Sequence, residues 1–310
     1  MTTINLLSAF EVESATKSVA EQSILGFING ATRGLGSDQD LVYFGNEPEY
    51  KWGVLLDCHG TDRFKNLLKT FDWKTIMSHV EPAAILHELI KGANGFYGKN
   101  SGSTMILIKI FVDRIQTFCI GDSRVAIYKN GQLAYINCPH TNSNPLEIER
   151  LKDLRVEYEL MVDPYPNISS STILRGKIGI YNSFYDDYGQ LLCRISPTQA
   201  IGHNGATGYC VEKHVETFNL EDDIRVVAGS DGVFDMFLLE GEVAEDVEQD
   251  RIDINSMTVE QLLQKAENRW KQSWKYHWCE SRPEIMYETT FPDNIYDDLG
   301  IIIWDNKKAV

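Results

Sequence analysis

Residues 53–62 read GVLLDCHGTD. An apolar run, Gly53 to Leu56, stops at Asp57, and His59 and Gly60 follow at once. A carboxylate and an imidazole there are poor packing material, because aspartate disfavours strands and its ionised form is costly to bury unpaired. The pattern returns with Asp122 in IGDSR and Asp231 in VVAGSDGVFD, each closing an apolar run. In PDNIYDDLGIIIW, Asp293, Asp297 and Asp298 stand just before another. A single such aspartate can be a turn former, and for Asp122 alone that reading is as strong as a chemical one. Three at one kind of position suggest that the strands aim their ends at one place. Clustered carboxylates repel one another unless cations sit among them. Hard divalent ions, Mg²⁺ or Mn²⁺, prefer oxygen ligands, and two sharing a bridging water make a nucleophile and a phosphate clamp. His59 stands two residues from Asp57, where it could protonate a leaving alkoxide. The chemistry implied is metal-assisted hydrolysis of a phosphate ester.

These residues need strands to hold them. Apolar runs predict strands over 52–56, 104–111, 114–120, 125–128, 224–229 and 300–304. Lys129-Asn130-Gly131 is a hairpin turn, because Asn-Gly supplies the positive φ angles a tight turn needs, and 132–136 returns from it. Hairpins and short connections favour antiparallel pairing. Helical composition marks 64–77, 83–91 and 146–154. Thr258 and Gln261 have capping-box spacing, and Leu262, Ala266, Trp270 and Trp274 follow at helical intervals as one apolar stripe, a core face. Residues 156–200 are rich in Tyr, Ser, Pro, Asn and Gly, with weak periodicity, and read as a loop-rich surface excursion.

Composition bounds the partners. The chain has 310 residues, with 29 Lys and Arg against 45 Asp and Glu, a formal net charge of −16. A general basic surface for nucleic acid or anionic lipid is excluded. Glu240 to Asp250, EGEVAEDVEQD, reads as a solvated face. The first residues lack the basic start and apolar block of a signal peptide, and no stretch approaches bilayer-spanning length. None of the six cysteines falls in a CxxC pair, which points to reduced, mostly buried thiols in a cytoplasmic protein and away from structural zinc. His79, His87, His214 and His277 have no ligand spacing.

At the aspartates the chain resembles the metal-dependent serine/threonine phosphatases, the PP2C (PPM) family. The resemblance runs from about Gly26 to Trp304 through short motifs in the family's order. Gln39-Asp40 precedes LVYFG, and Asp57-Cys58-His59-Gly60-Thr61 stands for Asp-Gly-His-Gly-Gly. Gly102-Ser103-Thr104 opens a strand, and Gly121 to Arg124 is an intact Gly-Asp-Ser-Arg turn. His140, Pro145 and Glu147 to Arg150 match a His, a Pro and a Glu-x-x-Arg helix. Ser230 to Asp235 is Ser-Asp-Gly-x-x-Asp, and Asp297-Asp298 precedes the last strand.

The resemblance implies one α+β domain over 1–310, a four-layer α/β/β/α sandwich of two antiparallel sheets flanked by helices. The excursion at 156–200 would be a flap beside the active site. Asp57 would bridge two ions, Mn²⁺ or Mg²⁺, with the backbone carbonyl of Cys58 beside it. Asp231 and Asp297 would hold one ion directly and Asp40 the other through water, with Asp293 the second choice for Asp297. Asp122 and Asp235, with Asp231, would hold a weak third ion. His59 would be the general acid, and phosphorylated proteins the substrates of a monomeric enzyme.

The chain departs from the pattern in three places. The usual phosphate-binding arginine position is Leu35, so Arg33, two residues earlier, is the candidate to reach the phosphate. Thr61 replaces a glycine. The family's Ser-Arg-x-x-Gly-Asp segment appears as Pro197 to His203, with Gln199 for its Arg and His203 for its Asp. These changes keep open a phosphatase-like binding module without activity. A hydrolase for a smaller phosphate ester also stays open, because fold and site chemistry would be shared.

Overall fold

The apolar runs are continuous because the sheets are buried on both faces. Leu55 packs inward between two sheets, while its neighbours Val54 and Leu56 pack outward against helices. Ile106, Ile108 and Ile110 face inward, and Met105 and Leu107 outward. In the last strand Ile302 and Trp304 face the partner sheet, and Leu299, Ile301 and Ile303 face helices. Side chains alternate across a strand, so each face needs its own apolar set.

The computed structural model describes residues 26–306, apart from 37–39, 94, 96–97, 163–166, 176–177, 240–242 and 278–285. Gln39, Cys279, Glu240 to Glu242 and the leader-free reading of the first residues lie outside the described residues. One five-stranded sheet has the order Phe27–Arg33, Leu299–Asp305, Ile224–Gly229, Arg124–Lys129, Gln132–Ile136. The other has Glu212–Thr217, Arg114–Ile120, Met105–Ile110, Lys51–Leu56, Leu41–Asn46. Every pairing in both is antiparallel. Helices Asp62–Leu68, Trp73–Ser78 and Pro82–Gly92 cover the second sheet, and Asp231–Phe234, Ala244–Ser256 and Val259–Lys271 cover the first. This is the four-layer α+β sandwich expected from the sequence. No helix among the described residues is long and apolar enough to cross a membrane.

Four local expectations change. The helix expected over 64–77 is two, because Lys69 to Asp72 turn the chain and Asp72 caps the second helix by accepting from Thr75 N at 3.2 Å. Thr258 and Gln261 do form a capping box, but Trp274 lies beyond the helix, at the start of the strand Trp274–His277. The acidic run is not only a solvated face. It continues into the helix Ala244–Ser256, where Asp250 is fully buried and accepts from Arg269 at 2.6 and 2.9 Å and from Lys265 at 2.7 Å. The excursion at 156–200 is built of strands: Val156–Val162, Ile178–Tyr185 and Leu191–Ile195 form a three-stranded sheet. Tyr158 and Leu160 of its edge strand are exposed, so the inside–outside contrast that reveals a strand is weak.

Candidate metal centre

Antiparallel register decides which sequence positions meet. Leu41 pairs with Leu56, so Asp40, just before one strand, lies beside Asp57, just after the other. Met105 pairs with Ile120, which brings Thr104 and Asp122 to the same end of that sheet. In the other sheet Gly229 pairs with both Arg124 and Ile301, which gathers Asp231, Arg124 and the Asp297-Asp298 approach. The turn Gly121 to Ser123 passes from one sheet to the other, so the two carboxylate groups share one end of the sandwich.

The local chemistry holds each group in place. Asp57 O accepts from Thr104 N and from Ser103 Oγ, both at 2.9 Å. Gly121 has φ +100°, a conformation open to glycine, and a Cβ there would meet Thr104 at 2.5 Å. Gly121 N donates to His140 Nδ1 at 3.0 Å, which makes that nitrogen the acceptor, and Gln199 Nε2 donates to it as well at 3.0 Å. Arg150 bonds Glu147 and the carbonyls of Thr198 and Thr207. The His, Glu-x-x-Arg and Gln199 positions are therefore braces under the site. Asp231 opens a short helix, and a Cβ on Gly232 would stand 2.2 Å from Asp298 O, so glycine lets that helix lie against the last strand's approach.

Asp57, Asp122 and Asp231 each offer a carboxylate oxygen, all within 4.8 Å of one another. The Asp57 carboxyl is pushed well above its ordinary value by burial, then by Asp231, Asp40, Asp297 and Asp122. Asp297 is raised likewise by burial, then by Asp231 and Asp40, with Asp235 adding to it. Such mutual repulsion among carboxylates from two sheets is what divalent cations relieve. Ligand oxygens about 2.0–2.1 Å from an ion lie up to roughly 4 Å apart, so small side-chain adjustments fit this donor set to Mg²⁺- or Mn²⁺-like ions.

Asp57, Asp122, Asp231, Asp235 and Asp297 line one cleft of about 890 Å³, with His59, Arg124, Tyr181, Arg194 and His203. Asp40 is buried behind it, and a Cβ on Gly300 would stand 2.7 Å from its Oδ2. The Cys58 side chain packs into the outer core, away from solvent. Asp293 is exposed in a short 3-10 turn and does not line the cleft. Asp298 Oδ1 accepts from Leu35 N at 2.6 Å and Gly36 N at 2.7 Å, so it ties down the neighbouring loop. Arg33 is not brought to the cleft. Its guanidinium ion-pairs with Glu267 at 2.5 Å and with Glu260, on the helix Val259–Lys271. Arg33 is the last residue of the strand Phe27–Arg33, and its side chain points to that helix.

His59 Nε2 lies 2.8 Å from His203 Nε2, and burial, followed by the repulsion His59 would meet were both rings protonated, pulls the His59 pKa down to about 3. The sequence alone assigns no role to Arg124 or Arg194, and for His203 it offers a structural substitute for the family's Asp or an additional polar group near the site. Arg124 was visible as the last residue of the GDSR turn. Arg194 and His203 sit in segments whose course no periodicity revealed.

No protein-family model matches this sequence, and no curated protein matches it. Solved structures do. A C. elegans sex determining protein aligns at TM-score 0.56 and 15% identity over 91% of this chain, which spans 65% of that chain's length. The serine-threonine phosphatase 2C of Toxoplasma gondii aligns at TM-score 0.51 and 13% identity, over 90% of this chain and 94% of that one. The likeness is one of fold.

Proposed function

We propose, for a chain that carries the fold of the PP2C-type phosphatases, that this cleft hydrolyses phosphoserine and phosphothreonine esters of proteins. The observation that carries the reading is the convergence of carboxylates from both sheets beside His59 in one open cleft. Asp57, the Cys58 carbonyl, Asp231, Asp297 and Asp40 would hold two divalent ions, and Asp122 and Asp235, with Asp231, would hold a weaker third. Divalent ions held there supply positive charge for the phosphate and acidify bound water.

The chain's own residues do the rest. Arg124 lines the cleft and has no ion-pairing carboxylate among the described residues, so it takes the phosphate contact in place of Arg33. His59 gives a proton to the departing alkoxide, which leaves poorly without one. In the free protein its ring is neutral, and a dianionic ester brings the opposite charge that favours the protonated form. Tyr181 and Arg194 on the strand-built flap face the same cleft, where the protein around the phosphorylated residue would lie.

A second reading, a binding module without turnover, draws on one observation, the Arg33 side chain held on the helix instead of at the cleft. Hydrolysis of p-nitrophenyl phosphate and a phosphothreonine peptide with Mn²⁺, Mg²⁺ or EDTA separates the two. Metal-dependent turnover lost in EDTA and in Asp57→Asn is expected. Metal binding by calorimetry without turnover of either substrate would favour the binding module.

A further inference from the structure

We propose that His203 is the positioning residue for His59. It accepts the His59 Nε2 proton and leaves His59 Nδ1 as the nitrogen that serves the leaving group. This inference rests on the phosphatase reading above.

The hydrogen-bond chain fixes the protons. His203 Nδ1 lies 2.7 Å from the Lys99 carbonyl oxygen. A carbonyl only accepts, so Nδ1 carries the hydrogen. His203 is 2% exposed, and burial lowers its pKa, which keeps the ring neutral and leaves a lone pair on Nε2. That lone pair faces His59 Nε2 at 2.8 Å, so the shared proton belongs to His59. Among the described residues nothing bonds His59 Nδ1, and His59 lines the cleft that holds the aspartates.

The backbone is shaped to make this contact. His59 and Gly202 both pair with Gly102, across the two sides of one short strand. A Cβ on Gly102 would stand 2.2 Å from His203 Nε2, so the imidazole occupies the space a side chain would fill. Gly202, His203 and Asn204 have φ of 93°, 49° and 51°. Two non-glycine residues in the left-handed region are uncommon, and such strain persists where surrounding structure holds it. Thr198 and Gln199 anchor the segment that leads there through Glu147, Arg150 and His140.

The choice of histidine has a physical reason. When His59 becomes cationic, a neutral acceptor on Nε2 still stabilises it and keeps the ring from turning. A carboxylate in that place would do so too, but it would add one more negative charge beside a cluster already crowded with them. In the reaction the phosphorus–oxygen bond to the seryl or threonyl carbon chain breaks, and its electron pair stays on that oxygen. The His59 Nδ1 proton goes to the same oxygen. Water oxygen forms the new bond to phosphorus, and a proton released from that water replaces the one His59 gave. The sum is ester plus water to alcohol plus hydrogen phosphate.

Two measurements test the inference. The first is ring-nitrogen NMR of the full chain, by long-range ¹H–¹⁵N correlation. It should find protonated Nδ1 on His203 and protonated Nε2 on neutral His59. The reverse tautomer on either ring would overturn the assignment. The second compares His203→Phe, which keeps a ring without an acceptor, with His203→Gln, which offers an amide oxygen. The Phe variant should lose about 10- to 100-fold in kcat on the phosphothreonine peptide, with KM and p-nitrophenyl phosphate turnover within about twofold. Gln should restore most of the loss. Calorimetric Mn²⁺ binding, unchanged in both, is the control for folding. Equal losses on both substrates, no loss in Phe, or no recovery in Gln would each overturn it. A wild-type protein inactive on both substrates would sink the phosphatase reading instead, and the NMR result would still decide the pairing.

Discussion

At the scale of single residues, direction matters more than nearness in sequence. Arg33 lies within loop reach of the acidic end, yet it ends a strand and its guanidinium lies among Gln264, Glu260 and Glu267. Arg124 starts a strand whose partner residue is Gly229, two positions before Asp231, and so faces the cleft. Arg124→Ala is expected to raise KM for phosphoester substrates about tenfold or more, the loss of one charge-assisted contact. Arg33→Ala should leave KM within about twofold and cost at most about 1 kcal/mol of stability, since its pairs are partly exposed. Steady-state kinetics of the two variants decides between them, and the reverse order would restore Arg33 to the phosphate. The aspartates were legible because a carboxylate that closes an apolar run has few structural uses. His203 was not, because its contact depends on a left-handed backbone that no residue type announces.

At the scale of elements, sandwiched strands are the easiest to read and those of the excursion at 156–200 the hardest. The strands at 114–120, 132–136 and 224–229 are where continuous apolar or hairpin patterns put them. The edge strand Val156–Val162 has little buried contrast to betray it, and the break at Lys69 to Asp72 is a matter of capping, not of period. The short helix that Asp231 opens lies close against the approach to the last strand. Gly232→Ala places a methyl 2.2 Å from Asp298 O and 3.1 Å from the Asp297 Cβ. Overpacking of this kind costs about 1–3 kcal/mol, and here it also separates Asp231 from Asp297. Thermal melting should drop, and Mn²⁺ affinity by calorimetry should fall about tenfold or more. Unchanged affinity with a lowered melting point would mean that the two aspartates need not be adjacent.

At the scale of the whole molecule, the buried acids and the buried histidines pull stability in opposite directions with pH. Asp57 and Asp297 have folded pKa values above the ordinary 3.8, so without metal the native state binds more protons than the unfolded chain above that pH. Their contribution is full below about pH 4 and is lost as pH rises through the folded values. His59, His140 and His203 are lowered, so theirs is full above about pH 6.5 and is lost as pH falls toward the folded values. Divalent ions replace the protons on the carboxylates. The rise in melting temperature on exchanging EDTA for Mn²⁺ should therefore be larger at pH 8 than at pH 5.5. A rise that does not grow with pH would place the ions elsewhere.

The acidic end takes Asp40, Asp57 and Asp122 from one sheet and its outgoing turn, and Asp231 and Asp297 from the other. Among the described residues the hydrogen-bonded ladders run within each sheet, and packed side chains fill the space between the two. Any ion at that end would act as a rivet across the slip plane of the sandwich. A force that shears one layer past the other would be felt there first, so that mechanical load, and not only chemistry, would register at the same few carboxylates.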